Sequence, residues 1–408
     1  MSPDMGPNGN QGVLANAERQ AAERGLDRFP IVDADAHHYE MQSWGSIVKY
    51  IEHPTTRRRA EEGMKLGAGR FQLLPHQLGD QQVAGRIKRR FTPQDPYEGV
   101  LHEIDRFQRE MSQLGVDYSV VFPTLMLNLG LHPQAEVESA IAWAYARWIT
   151  EEVLNRSETI KTMLYIPFND PDMSLKMVET FTGKPGVVGF MVTSLRYQPV
   201  HHNRYMKFYR AVEESGLPLA FHPVYNWSER SLEQFDRFIG VHSLGFPLYN
   251  MIHLTNVVIH AIPERFPRLK FIWMECGVAW IPFLMFRLDN EYMMRPSEAP
   301  GLKKKPSEYM REFFYTSQPL EWPDNLNHLA YIFEMIHAET QLLYASDYPH
   351  WDFDLPSRIY DLPFLTEKAK RRILGRNSLE LFHLPVPEKY SSGEPEATTV
   401  GDGFSQKK

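Results

Sequence analysis

Eight short apolar runs rich in β-branched and aromatic residues, separated by helix-periodic segments, constrain this chain more than any other feature. In order they are IVDADAH (31–37), YSVVFPTL (118–125), TMLYIPF (162–168), VVGFMVT (187–193), PLAFHP (218–223), LKFIWME (269–275), EFFYTSQ (312–318) and LLYASDYP (342–349). Between them, segments such as AEVESAIAWAYARWITEEVL, NRYMKFYRAVEESG and NLNHLAYIFEMIHAET repeat apolar residues three or four apart, as packed helices do. Eight buried strands alternating with helices favour an α/β fold closed into a parallel barrel, the (β/α)8 or TIM barrel. An open doubly wound sheet is the rival, but no Gly-rich phosphate turn follows any of these strands.

The 408 residues, 43% of them apolar, can bury one large core with decorations. No linker long enough to divide the chain is present, so one domain over residues 29–386 is expected. Residues 1–28 and 387–408 are polar and read as flexible tails. Two segments exceed what a plain barrel needs, residues 39–117 after strand 1 and 224–262 after strand 5. Insertions in those places hang over the catalytic rim.

A net charge of −7 offers no general attraction for nucleic acid or an anionic membrane. The single cysteine, Cys276, excludes an intrachain disulfide and a Cys-based metal cluster. The start of the chain lacks a secretion signal, and no apolar run reaches the ~18 residues of a membrane span. A cytoplasmic enzyme acting on a small molecule is the expectation, as a homodimer or beside a paralogue in a hetero-oligomer.

Side chains two apart on a strand share a face, so Asp33, Asp35 and His37 of DADAHHYE point the same way. Strand 5 ends in His222, strand 6 in Glu275 and strand 8 in Asp347. Carboxylates and imidazoles gathered at one rim describe a site for zinc, iron or manganese, whose charge offsets that of buried acids. Glu40, His253 and His350 are further donors close to these in sequence or on the segment after strand 5. One ion would use Asp35, His37, His222 and Asp347, leaving Glu40, His253, Glu275 and His350 for a second. His253 reads equally well as a helix-face residue packed under a lid. Tyr225, Asn226, Trp227, Gln318 and Trp351 are placed to line a substrate pocket. Arg57–Arg59 and Arg86–Arg90 could grip an anionic substrate, although such runs more often form a solvated face.

Asp-x-His on strand 1, His on strand 5, an acceptor on strand 6 and Asp on strand 8 resemble the amidohydrolase superfamily. PERFPRLKF before strand 6, ASDYPH at strand 8 and ILGRNSLELF near the end extend the likeness over residues 30–385. Within it the chain is similar to the amidohydrolase-related group that includes nonoxidative aromatic-acid decarboxylases. Those enzymes usually carry a His followed by Gly residues at the end of strand 6, where this chain has Glu275-Cys276-Gly277. The extra carboxylate and the long insertions resemble a branch whose barrel houses a nonheme diiron monooxygenase.

That resemblance implies two iron ions, an electron donor, and hydroxylation of a small organic substrate, in many members a CoA thioester. The alternative it implies is a hydrolase or nonoxidative decarboxylase with one or two divalent ions, manganese or zinc among them, in which Glu275 or Asp347 moves the proton.

Overall fold

The structure is a computed structural model that describes residues 10–40, 43–65, 100–194, 198–224, 229–350 and 352–390. Its eight strands are β1 (Val32–His38), β2 (Tyr118–Pro123), β3 (Ile160–Tyr165), β4 (Val187–Val192), β5 (Leu219–Phe221), β6 (Phe271–Trp273), β7 (Phe314–Thr316) and β8 (Leu342–Leu343). All seven successive pairings, β1–β2 through β7–β8, are parallel. Closure between the last strand and the first runs through backbone bonds. The Ala34 N–H donates to the Tyr344 carbonyl (2.9 Å), the His37 N–H to that of Tyr348 (2.8 Å), and the Asp347 N–H to that of Asp35 (2.8 Å). The (β/α)8 barrel expected from the eight apolar runs is therefore the fold.

Strands 5 to 8 are shorter than the runs that announced them. In each, the chain leaves the ladder just before its polar residue, so His222, Glu275, Gln318 and Asp347 sit one to four residues past a strand end. These side chains then ride on turns held by the barrel wall. Two of the turns bend through the left-handed region, at Glu275 (φ 49°) and Asp347 (φ 58°), which side chains with a Cβ seldom occupy.

Asp33 ties the β8 turn to β1. Its buried carboxylate accepts from the Ser346 N–H (2.9 Å), the Ser346 hydroxyl and the Asp35 N–H (3.1 Å). Burial pushes the Asp33 carboxyl up to about 7 against these hydrogen bonds. The residue is thus a brace between strands that places its neighbour Asp35.

Residues 238–259 of the segment expected as an insertion after strand 5 form one long helix, Phe238–Ile259, which is the barrel's own β5–β6 crossover. Of the first insertion, the helices Trp44–Lys49, Pro54–Lys65 and Val100–Leu114 are described. The expected N-terminal tail needs correction over its described part, because residues 10–24 form a helix. Leu14, Ala17 and Ala21, three and four apart, pack into the core, and Arg24 grips Asp361 through two 2.7 Å bonds. At the other end, Lys389 pairs with Asp117. No helix among the described residues is long and apolar enough to cross a membrane.

After β6 the chain turns at Gly277 (φ 63°) into the helix Trp280–Met294. Glu321 satisfies that helix's free start, accepting from the Val278 N–H (2.9 Å) and the Ala279 N–H (3.2 Å). A Cβ at Gly277 would fall 2.3 Å from Glu321 Oε1. Gly277→Ala therefore combines a strained φ with a clash and should cost about 1–3 kcal/mol. The denaturant midpoint checks this, and an unshifted midpoint would refute the tight fit at the turn.

Candidate metal centre

The site forms where β1, β5, β6 and β8 deliver polar side chains to one end of the barrel. His37 lies at its centre: its Nε2 is 3.3 Å from Asp35 Oδ1, 3.3 Å from Asp347 Oδ1 and 3.3 Å from His222 Nε2. His222 Nε2 lies 3.5 Å from Asp35 Oδ1 and 3.1 Å from Glu275 Oε2. Donor atoms of Asp35, His37, His222 and Glu275 all fall within 4.8 Å of one another, and so do those of His37, Asp347 and His350. Every one of these residues except His350 is buried.

Two imidazole nitrogens facing each other at 3.3 Å, with carboxylate oxygens around them, are poorly matched as hydrogen-bonding partners. Both Asp35 oxygens and Glu275 Oε2 are buried without a hydrogen bond. Burial, then charge from Asp347 and Asp35, drives the Glu275 carboxyl well above the usual carboxylate range. Burial, then Asp352 and Asp35, does the same to Asp347. Burial pushes the His37 imidazole down to about 3, helped by His350, so the ring is neutral at pH 7 and one of its nitrogens has a free lone pair. No Lys or Arg pairs with these acids among the described residues. A divalent cation with oxygen and nitrogen ligands fits this donor set, since it would serve the orphaned oxygens and restore the acids to their anionic form.

The structure separates the expected donors. Asp35, His37, His222 and Glu275 come together, and Asp347 and His350 lie against the same His37. Glu40 is turned away: its carboxylate accepts from the Met126 N–H (2.7 Å) and the Thr124 N–H (3.1 Å), and so pins the loop after β2. His253 sits behind the barrel wall, its ring 5.6 Å from that of Phe221, in neither donor group. The set of Glu40, His253, Glu275 and His350 proposed for a second ion therefore does not converge.

His350 donates or accepts at Asp347 Oδ1 (2.6 Å), stacks on His37 at 4.2 Å, and meets the Thr124 hydroxyl at 3.1 Å. Gln318 is fully buried and donates to Asp347 Oδ2 (3.1 Å), so it orients that carboxylate from behind where a pocket wall was expected. Tyr225, Asn226, Trp227, Trp351 and Arg86–Arg90 lie outside the described residues. Arg57 and Arg58 pair with Glu61 and Glu62 on an exposed helix face. Thr124 and the pair His242–Asp352 (3.9 Å) at the site's edge escaped sequence reasoning. The only trace of the latter was Asp352 itself, two residues beyond His350 in the β8 turn.

Residues 109–384 match the amidohydrolase family model. Gamma-resorcylate decarboxylase of Polaromonas sp. strain JS666 is 23% identical over 301 residues, covering 69% of this chain and 87% of that protein. Among solved structures, 5-carboxyvanillate decarboxylase from Sphingomonas paucimobilis superposes with a TM-score of 0.66 at 20% identity, over 88% of this chain and 100% of its own. Dihydroxybenzoic acid decarboxylase from Polaromonas sp. JS666, solved with bound manganese and the inhibitor 2-nitroresorcinol, gives 0.63 at 16% identity over 87% and 97%. These relatives are decarboxylases, one of them holding manganese, and they overturn the expectation of a dinuclear iron monooxygenase with an electron donor. The site's geometry agrees, since the second set of ligands is dispersed.

His222→Ala and Glu275→Ala should each lower bound divalent metal at least tenfold relative to the parent chain at equal free metal. Elemental analysis after equilibrium dialysis against manganese measures it. Full occupancy in both variants would remove them from the ligand set.

Proposed function

Because the chain belongs to the amidohydrolase family, we propose that it is a divalent-metal-dependent enzyme that releases CO2 from a small aromatic acid without oxidation. The observation that carries this reading is the buried convergence of Asp35, His37, His222 and Glu275, seen beside relatives that are decarboxylases. In it, Asp35, His37, His222 and Glu275 hold the ion. Once bound, manganese or a similar ion supplies positive charge that binds and polarises an oxygen of the substrate.

Losing CO2 breaks a carbon–carbon bond and leaves its electron pair on the ring carbon, which must then take a proton. Asp347 is assigned to hold that proton. Its Oδ1 is fixed by His350 and its Oδ2 by Gln318, which hold the carboxyl group in one orientation beside the metal ligands. His350, stacked on His37 and less deeply buried, links Asp347 to the mouth of the site. Asp35, His37, His222 and Asp347 are fully buried, which keeps the proton from being lost to bulk water.

Hydrolysis is the second reading, favoured by one residue. Glu275 stands where the decarboxylase pattern has an imidazole, and a carboxylate there serves as a base for water as readily as a ligand. Carbon dioxide release and oxygen consumption by the manganese-loaded enzyme, followed over a panel of hydroxybenzoates and aryl esters, separate the readings. Release of CO2 with no oxygen uptake is the expected result. Ester cleavage without CO2 would transfer the site to the hydrolytic reading, and oxygen-dependent hydroxylation would defeat both. Asp347→Asn should lower kcat about 100-fold or more while metal content stays near that of the parent. Retained turnover would take the proton away from Asp347.

A further inference from the structure

The outer helix Trp280–Met294 follows the site turn and carries an unusual surface. Its inner face, with Trp280, Ile281, Leu284 and Met285, is buried on the barrel. Its outer face exposes Phe283 (57%), Phe286 (65%), Met293 (63%) and Met294 (62%), and Tyr331 (64%) stands on the helix Leu326–Met335 that packs beside it. At ~200 Å² for a large side chain, five of them open by three fifths offer on the order of 600 Å² of surface. That is at the upper limit of the largest apolar patch of an ordinary monomer and close to the ~800 Å² that each partner buries in a stable complex.

The arrangement of these residues says what covers them. At 3.6 residues per turn, Phe283, Phe286, Arg287, Asn290, Met293 and Met294 fall within about 120° of one another. The aromatic pair occupies the first half of the stripe and the methionine pair the second, with the charges Arg287 and Glu291 between them. Those two charges lie on one flank, and Phe286 and Met293 lie on the other. Two copies of such a helix laid antiparallel about a two-fold axis near residue 289 bring like flanks together. Phe286 then meets Met293 of the second copy, Phe283 meets its Met294, and Arg287 meets its Glu291. Within one chain the Arg287 guanidinium already touches Glu291 at 2.9 Å, and both side chains remain about half exposed, so each is free to reach across.

We propose that this face pairs with a second copy of the same chain, the helix Trp280–Met294 packing antiparallel on its own equivalent to form a two-fold dimer. An isologous contact requires that every residue find its partner under one rotation, and the apolar and charged positions of this stripe meet that requirement together. A random apolar patch has no such internal match. The docked helix begins at Trp280, just after the Gly277 turn whose Val278 and Ala279 amides Glu321 holds, so the dimer interface lies on the helix that follows the turn presenting Glu275.

Sedimentation equilibrium of the full chain tests this. The parent chain is expected to be a dimer at micromolar concentration, and Phe283→Glu with Phe286→Glu to raise the dimer dissociation constant at least 100-fold, with an unchanged far-ultraviolet spectrum and a melting temperature lowered only by the lost association. Arg287→Glu alone puts two acids opposite each other, and Glu291→Arg alone puts two arginines opposite each other, so each weakens self-association at least tenfold. Mixed together, these two variants present opposite charges at both contacts and should form a heterodimer more stable than either homodimer. That rescue separates the intermolecular pair from the bond within one helix, because neither chain in the mixture regains its internal pair. A monomeric parent chain, a parent-like dimer in the doubly substituted variant, or a mixture no more associated than its components would each overturn the proposal.

Discussion

Three carboxylates, Asp35, Glu275 and Asp347, are buried around a single pair of imidazoles, and among the described residues no protein cation balances them. Folding the chain without a counter-charge would force protons onto two of the three acids, which the surroundings already favour. A bound cation removes that penalty at once. Barrel closure, the Asp33 brace and the strained turns can be understood as the work of holding this charge arrangement in place.

The supports lie one layer behind the donors. Asp33 fastens the turn that carries Asp347, Gln318 orients Asp347 itself, and Glu321 anchors the helix whose preceding turn carries Glu275. Each supporting residue bonds a backbone amide or a site carboxylate, and Asp33 the Ser346 hydroxyl as well, which fixes direction as well as position. β1 alone contributes its donors, Asp35 and His37, from within the strand, and its register against β2 shifts between Asp33 and Ala36, at the first of them.

How much of this was legible in the sequence follows from what sequence spacing measures. The strands were readable because burial on both faces leaves short apolar runs, and the strand-end donors were readable because polar residues at those ends have few other reasons to be there. Glu40 and His253 were not, because nearness in sequence does not fix where a side chain points. Three residues past His37 the chain has left its strand, and Glu40 swings to the amides of Thr124 and Met126. His253 sits on a crossover helix that packs outside β5, so the wall itself separates it from the metal centre. The N-terminal helix was masked by its polar composition, although Leu14, Ala17 and Ala21 keep helical spacing. The reaction was least legible, since one barrel supports many chemistries and a single Glu for His exchange at 275 reads as several of them.

Both acids at the working end of the site, Glu275 and Asp347, sit in left-handed backbone that glycine or asparagine would occupy at lower energy. At these two positions, residues that improve endurance are ones that abolish chemistry. A lineage drifting towards robustness would therefore lose its acids here first, and a barrel of this shape carrying Gly or Asn at either place can be recognised as one that has traded turnover for durability.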